Sequence, residues 1–292
     1  MTASLDAFRI VRTVADLRAA VRAWRAQGLT VALVPTMGAL HAGHLHLVAE
    51  GLKRADRVVT SVFVNPTQFA AHEDLGAYPR QQDRDAKLLD QTGCALMFAP
   101  TVDEMYAAGA VTRITVGDAE TGGPSQGLEG AFRPQMFGGV ALVVAKLLNQ
   151  AQADIAVFGE KDWQQLMVVR RLALDLDIPT EIVGVPTVRD EHGLALSSRN
   201  AYLSAEELDV ARRLNVILRQ AGEKARAGRP IAGAEREAYD AILKAGFDTI
   251  DYVAIRRAED LAAFPSGVIE GDARILTAAR IGRTRLIDNM AV

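Results

Sequence analysis

The chain has 292 residues, room for one large domain or two of ordinary size. Hydrophobic residues make up 49% and charged residues 24%, with a mean hydropathy of +0.08, which supports a sizeable core and argues against overall disorder. Thirty-three Lys and Arg against 36 Asp and Glu leave a net charge of −3, so a nucleic-acid binder that works through a strong basic excess is not expected.

The single cysteine, Cys94, cannot form an intramolecular disulfide, and no Cys/His cluster has zinc spacing, which points to a soluble, reducing compartment. The N-terminal segment is interrupted by charges and lacks an apolar stretch of signal-peptide length. The longest apolar run, Met136 to Ala145, is far short of the roughly 20 residues that cross a bilayer, so no membrane role is expected.

From the N-terminus onward, short apolar runs alternate with amphipathic stretches, as in βαβ units around a parallel sheet. Val31 to Val34 is a buried-strand run, followed by a Pro/Gly-bearing turn and a helix over Leu45 to Arg54. Arg57 to Val64 is a β-branched strand that Asn65-Pro66 stops. A helix over Asp83 to Thr92 leads into a strand at Ala95 to Ala99. A helix over Gly138 to Gln150 precedes the strand Asp154 to Phe158, an amphipathic helix spans Asp162 to Asp175, and Glu181 to Val185 is a strand ending at Pro186. After about residue 187 come alanine- and charge-rich helical stretches, Ala205 to Ala227 and Ala232 to Ala245, then strand-like runs at Ile250 to Ile255 and Arg274 to Ala279 and a short apolar tail. The reading is an α/β fold with a Rossmann-like, doubly wound parallel sheet over residues 1–187, and a smaller α+β domain over 188–292.

Chemistry concentrates at four places. Val34-Pro-Thr-Met-Gly-Ala-Leu-His-Ala-Gly-His44 lies between a strand's carboxyl end and the next helix, where open α/β folds bind ligands. His41 and His44 share one helix face there, beside backbone N–H groups that favour anions, and Gly43 leaves room for a close-packed base or ribose. Two histidines near a turn are as often simply solvated; the strand–HxGH–helix context is the nucleotide-binding signature of HIGH-type nucleotidylyltransferases. Asn65 and Gln68, just past a strand, have uncharged amides suited to hydroxyls or a carboxylate, although an Asn-Pro stop and a surface glutamine would look the same. Lys161 opens a helix against its macrodipole, a conflict that an anionic ligand removes; Asp162 reads as an N-cap, and at least one of Gln164 and Gln165 should face the crevice. Leu196-Ser-Ser-Arg-Asn200 offers two hydroxyls and a guanidinium to the β- and γ-phosphates of a nucleoside triphosphate.

Taken together, PTMGALHAGH, SVFVNPTQF, AYPR, FGEKDWQQL, GVPTVRDEHGLALSSRNAYLS and TRLIDNMA resemble the pantoate–β-alanine ligase (pantothenate synthetase) family, in family order from about residue 9 to the C-terminus. The resemblance implies that ATP and (R)-pantoate form pantoyl adenylate and pyrophosphate, and that β-alanine then displaces AMP to give pantothenate. It implies a Rossmann-like domain with a C-terminal lid, Mg²⁺ held mainly through phosphates and water, and a cytoplasmic homodimer. By motif, Met37, Gly38, Ala39, Leu40, His41, Ala42, Gly43 and His44 would line the ATP site, with Gly159, Glu160, Lys161, Asp162, Val188, Leu196, Ser197, Ser198 and Arg199 completing it. The family's proton donor falls on His44, and His41, His44, Lys161 and Arg199 would carry the catalysis. Gln68 and Gln165 would bind pantoate, with Gln68 also bordering β-alanine and Asn65 beside it.

Two segments depart from the family pattern. Met136 stands where Arg-Pro-x-His-Phe has its histidine, and Asp83 and Asp85 flank Arg84 where acidic residues are usual, which leaves Mg²⁺ without an assigned protein ligand. The rival readings are another HxGH adenylyltransferase, a class I aminoacyl-tRNA synthetase fragment, and a catalytically silent nucleotide-binding relative.

Overall fold

β-Branched runs closed by Gly and Pro become the strands of a parallel sheet, and the amphipathic stretches between them become its helices. A computed structural model describes residues 7–70, 73, 75–118 and 120–292. In chain order the elements are β1 (Arg9–Val11), α1 (Val14–Arg25), β2 (Val31–Thr36), α2 (Ala42–Leu52), β3 (Arg57–Val62), α3 (Gln82–Gln91), β4 (Leu96–Phe98), α4 (Val102–Met105) and α5 (Leu128–Phe132). There follow α6 (Met136–Ala151), β5 (Ile155–Gly159), α7 (Trp163–Asp175), β6 (Glu181–Val185), α8 (Ala205–Ala211), α9 (Leu214–Arg226), α10 (Ile231–Ala245), β7 (Thr249–Arg257), β8 (Ala273–Ile281) and β9 (Thr284–Ala291). No helix among the described residues is long and apolar enough to cross a membrane.

The chain divides into two compact units. One comprises the chain through Val116 with Arg133–Glu160 and Val168–Pro186; the other comprises Gly117–Phe132, Lys161–Met167 and Thr187–Val292.

The first unit holds six parallel strands in the order β1-β4-β3-β2-β5-β6. Val31, Ala32, Leu33 and Val34 of β2 are fully buried, as a strand covered on both faces requires. Truncating a leucine so buried, such as Leu33, to alanine typically costs about 2–5 kcal/mol. The chain winds outward from β2 through β3 to β4, and later through β5 to β6 on the other side. The order therefore reverses between β2 and β5, which pair at Ala32↔Ile155 and Leu33↔Ala156. Ligands of open α/β sheets bind outside the carboxyl ends of the strands at such a reversal. The PTMGALHAGH loop follows β2, and Glu160 follows β5.

In the second unit α9 and α10 bury Leu214, Leu218, Ala234 and Ile242 with Ile255 and Ile275 of the antiparallel sheet β7-β8-β9. This is the small α+β fold that the composition predicts, with two differences of detail. The stretch Ala205 to Ala227 is two helices, not one. Asn215 Nδ2 donates to the Arg212 carbonyl at 2.8 Å and to His192 O at 3.2 Å, taking a carbonyl that a continuous helix would use itself. The apolar tail is a full strand, β9, paired with β8 from Arg274↔Ala291 to Ile281↔Thr284. The helix expected from Gly138 begins two residues earlier, and β1 and α1 lie in a segment read only as charged sequence.

Candidate active site

The β2–α2 connection is a strained loop with a self-capped helix behind it. Gly38 has φ +83°, and a Cβ there would meet Val62 Cγ1 at 3.0 Å and Asp85 Oδ2 at 3.1 Å, so the position requires glycine. Ala39 follows at φ +51°, a conformation costing an L-residue about 1–2 kcal/mol. His41 is the N-cap of α2: its Nδ1 accepts the Gly43 N–H at 3.1 Å, while His44 Nδ1 accepts the His41 N–H at 3.3 Å. This is a capping box built from two imidazoles. Because each Nδ1 accepts, each neutral ring carries its hydrogen on Nε2. The rings lie 4.0 Å apart between centroids.

What holds the strained loop is Asp85, which sequence reasoning weighed only as a metal ligand. Its fully buried carboxylate accepts Ala39 N at 2.9 Å through Oδ2 and Leu40 N at 2.8 Å through Oδ1. Burial pushes this carboxyl above its ordinary value, with the Leu40 and Ala39 N–H groups pulling it part of the way back. The partners lie 45 and 46 residues apart in the chain, a separation that no local motif records.

Gln68 ends the 3-10 turn Pro66–Gln68 after β3. Its Oε1 accepts from Asn65 Nδ2 at 3.1 Å, which turns its Nε2 toward Met37 Sδ at 2.8 Å. A thioether is a weak acceptor, so Nε2 retains most of its capacity for a carboxylate or hydroxyl. Asn65, expected as a substrate contact, is 1% exposed. Its Oδ1 accepts Thr67 N, Thr67 Oγ1 and Tyr106 Oη, and its Nδ2 also reaches Gly139 O. The amide is spent inside the fold, so Asn65 serves to aim Gln68. A Cβ on Gly139 would fall inside the Thr67 carbonyl, so the same turn is fixed by the close approach of α6.

Arg133 braces the far side of this turn: it pairs with Glu73, reaches Gln68 O at 3.5 Å, and lies against the sulfur of Met136. Glu73 Oε2 also accepts Ala70 N at 2.9 Å. Met136 is buried at the start of α6, where its flexible thioether packs against the guanidinium.

In the second unit, Lys161 lies in a short 3-10 turn, Glu160–Asp162, and its ammonium is 3.8 Å from Asp162. The structure separates the two glutamines. Gln164 is 4% exposed, accepts Glu129 N at 2.9 Å and donates to the carbonyls of Pro124, Gln126 and Gly127. Gln165 is only partly buried and is the one able to meet a ligand. Val188 and Leu196 are joined by Leu196 N–H to Val188 O at 2.9 Å, closing a small hairpin whose end delivers Ser197, Ser198 and Arg199. Ser197 caps the 3-10 turn Ser198–Tyr202 by accepting Arg199 N, and Asn200 Nδ2 ties that turn to Ala195 O at 3.0 Å. Asp190 shapes the hairpin's turn, accepting the N–H groups of His192 and Leu194 and the Arg212 guanidinium.

Among the described residues no group of three or more His, Cys, Asp or Glu side chains could hold a metal ion. Both oxygens of Asp85 are committed to backbone N–H groups. Asp85 therefore does not fit a direct ligand to Mg²⁺, which needs oxygens left open to an octahedral shell.

The chain carries a paired-imidazole helix cap after its central strand, an amide held on a 3-10 turn, and a serine- and arginine-bearing hairpin. Related proteins match it over nearly their whole length. The pantoate–β-alanine ligase family model matches residues 9–291. A pantothenate synthetase of Caulobacter vibrioides is 59% identical over 97% of this chain and 98% of its own, and one of Paramagnetospirillum magneticum is 55% identical over 98% of each. The crystal structure of pantothenate synthetase from Thermus thermophilus aligns with a TM-score of 0.87 at 46% identity, covering 97% of this chain and 98% of that one. A pantoate–β-alanine ligase from Francisella tularensis, complexed with beta-gamma ATP and β-alanine, aligns at 0.81 with 32% identity over 97% of both chains. Similarity of this extent, at full length in both sequence and fold, settles the kinship: the chain belongs to the pantoate–β-alanine ligase family.

Proposed function

We propose that the chain condenses (R)-pantoate with β-alanine through a pantoyl-adenylate intermediate, releasing pyrophosphate and then AMP. The reciprocal imidazole cap at the sheet's reversal point carries this reading. It places two imidazoles at the start of a helix, where backbone N–H groups already favour an anion.

In the first step a pantoate oxygen bonds to the α-phosphorus as the bond to pyrophosphate breaks. The carboxylate is already ionised, so the step needs no base. It needs donors where charge accumulates, on the phosphoryl oxygens and the leaving group. His41 and His44 supply neutral donors in this reading, and Lys161 and Arg199 supply cationic ones, with Ser197 and Ser198 as hydroxyl donors. Gln68 binds pantoate through Nε2, held in place by Asn65, and Gln165 binds it from α7. In the second step the neutral amine of β-alanine attacks the acyl carbon, AMP departs, and the amine's proton passes to water or to AMP. Mg²⁺ arrives on the triphosphate rather than on the protein. A cytoplasmic homodimer completes the reading, and light scattering on the purified chain tests the dimer.

The decisive assay measures pyrophosphate with ATP and pantoate alone, and AMP and pantothenate when β-alanine is added. Pyrophosphate in a single burst without β-alanine, and turnover with it, is expected. Release of pyrophosphate with a nucleotide-type acceptor but not with pantoate would instead point to another HxGH adenylyltransferase. No product with either would point to a silent relative.

A further inference from the structure

β9 carries two adjacent polar residues, Asp288 and Asn289, that are only 4% and 3% exposed. Burying a carboxylate and an amide side by side is costly unless both are fully bonded. Each bonds to a different segment of the candidate ATP site. Asp288 grips Arg189 with two parallel bonds, Nη1 to Oδ2 and Nη2 to Oδ1, both 2.8 Å. Arg189 in turn donates to Gly193 O at 2.9 Å and Asn289 O at 3.1 Å, so this carboxylate fixes the hairpin that delivers Ser197, Ser198 and Arg199. Asn289 faces the other segment: its Nδ2 donates to the carbonyl of Lys161 at 2.8 Å, while its Oδ1 accepts from Arg274. Arg274 lies flat on the Trp163 ring, 3.4 Å from its centroid, two residues beyond Lys161. Asn289 N–H closes the pair by donating to Asp288 Oδ1 at 2.7 Å. Bidentate pairing fixes angle as well as distance, and the amide's second bond fixes the Lys161 peptide plane.

We infer that Asp288 and Asn289 are positioning residues for adenylate formation, setting the Lys161 segment and the Val188–Arg199 hairpin in one fixed relation so that their cationic groups act on the same triphosphate. The inference rests on the proposed roles of Lys161 and Arg199. A brace of this kind matters to rate because small misplacements of preorganised charge cost catalysis steeply.

The test is Asn289→Asp, which keeps the volume and an acceptor for Arg274 but removes the donor to Lys161 O. The expected result is a rise in KM for ATP of about fivefold or more, or a fall in kcat for pyrophosphate release of about tenfold. The KM values for pantoate and β-alanine should stay within about twofold, after correction by active-site titration. A side chain that serves folding alone would lower Tm and the active fraction without this split. In a Lys161→Ala background, followed by single-turnover formation of labelled adenylate, Asn289→Asp should add less than about twofold. Should Asn289→Asp fail to fold, Arg189→Lys, which loses the two-bond grip on Asp288, is expected to give the same ATP-selective split. Wild-type values in Asn289→Asp while Lys161→Ala is inactive, or full multiplicative effects in the double variant, would overturn the inference alone. Wild-type rates in Lys161→Ala by itself would overturn the assignment of Lys161, and the inference with it.

Discussion

Asp85 holds the β2–α2 loop from behind, and if that loop binds ATP as proposed, its removal should be felt in both stability and nucleotide affinity. Replacing it with alanine orphans the N–H groups of Ala39 and Leu40, bonded at 2.9 and 2.8 Å in a fully buried setting. Each unsatisfied buried donor costs about 1–3 kcal/mol, so Asp85→Ala should lose roughly 2–6 kcal/mol. Asparagine keeps one acceptor and turns an NH₂ toward the other donor, so Asp85→Asn should lose about 1–3 kcal/mol. Without both bonds nothing holds Ala39 at φ +51°, and the loop relaxes away from the geometry that presents His41 and His44. Affinity for a non-hydrolysable ATP analogue should therefore fall along with stability. The pH dependence follows from burial, which sets the folded-state pKa above the ordinary 3.8. A raised carboxyl contributes stability that is fully present below the unfolded value and is lost as pH rises through the folded one. Asparagine cannot titrate, so the wild-type advantage over Asp85→Asn should be largest near pH 4 and narrow as pH rises. Urea unfolding across that range, with analogue binding by calorimetry, measures both. An Asp85→Asn protein within about 0.5 kcal/mol of wild type that binds the analogue normally would refute the reasoning.

The hairpin carboxylate Asp190 should behave with the opposite sign. Burial alone would raise it, but the Leu194 N–H, the Arg212 guanidinium and the His192 N–H outweigh burial and hold it below 3.8. The stability it contributes is present above that value and lost as pH falls through the folded one, so Asp190→Asn should be less stable at pH 7 and converge on wild type below about pH 4 in acid unfolding. Gln68→Ala and Gln165→Ala should raise KM for pantoate with ATP-analogue affinity within about twofold, the lost donor being worth about 1–3 kcal/mol. Gln164→Ala should instead lower Tm, since that amide bonds four backbone groups of the 124–129 segment. Met136→His should change kcat/KM for pantoate by about tenfold or less, about 1.4 kcal/mol, because the Arg133–Glu73 pair beside it is already complete; a wild-type chain inert until this change is made would show that Met136 disables the enzyme.

The parts of the fold that could be read from the chain are those whose physics is local. Val31 to Val34 announces itself as a buried parallel strand because both faces are covered and every position is apolar, and Arg57 to Val62 through its β-branched residues. The HxGH cap is legible for the same reason, since both of its bonds close within four residues. The remainder depends on partners far away in sequence. Gln164 and Gln165 are neighbours of one type, and only the loop that Gln164 binds decides which of them is committed. Asn65 reads as an open amide until Tyr106 and Gly139 are brought onto it from 41 and 74 residues away. The break between α8 and α9 depends on Asn215 taking a carbonyl, a choice that helix propensity does not register. Both residues that hold the candidate site loops from behind, Asp85 and Asp288, lie outside the loops they hold. Nothing in a loop's own sequence can identify its brace, because the brace is recognisable only by which backbone or guanidinium donors it receives. A loop that must keep φ +83° and φ +51° in succession, as Gly38 and Ala39 do, nevertheless requires some acceptor behind it. The strained dipeptide predicts that a brace exists, and the fold alone decides that it is Asp85.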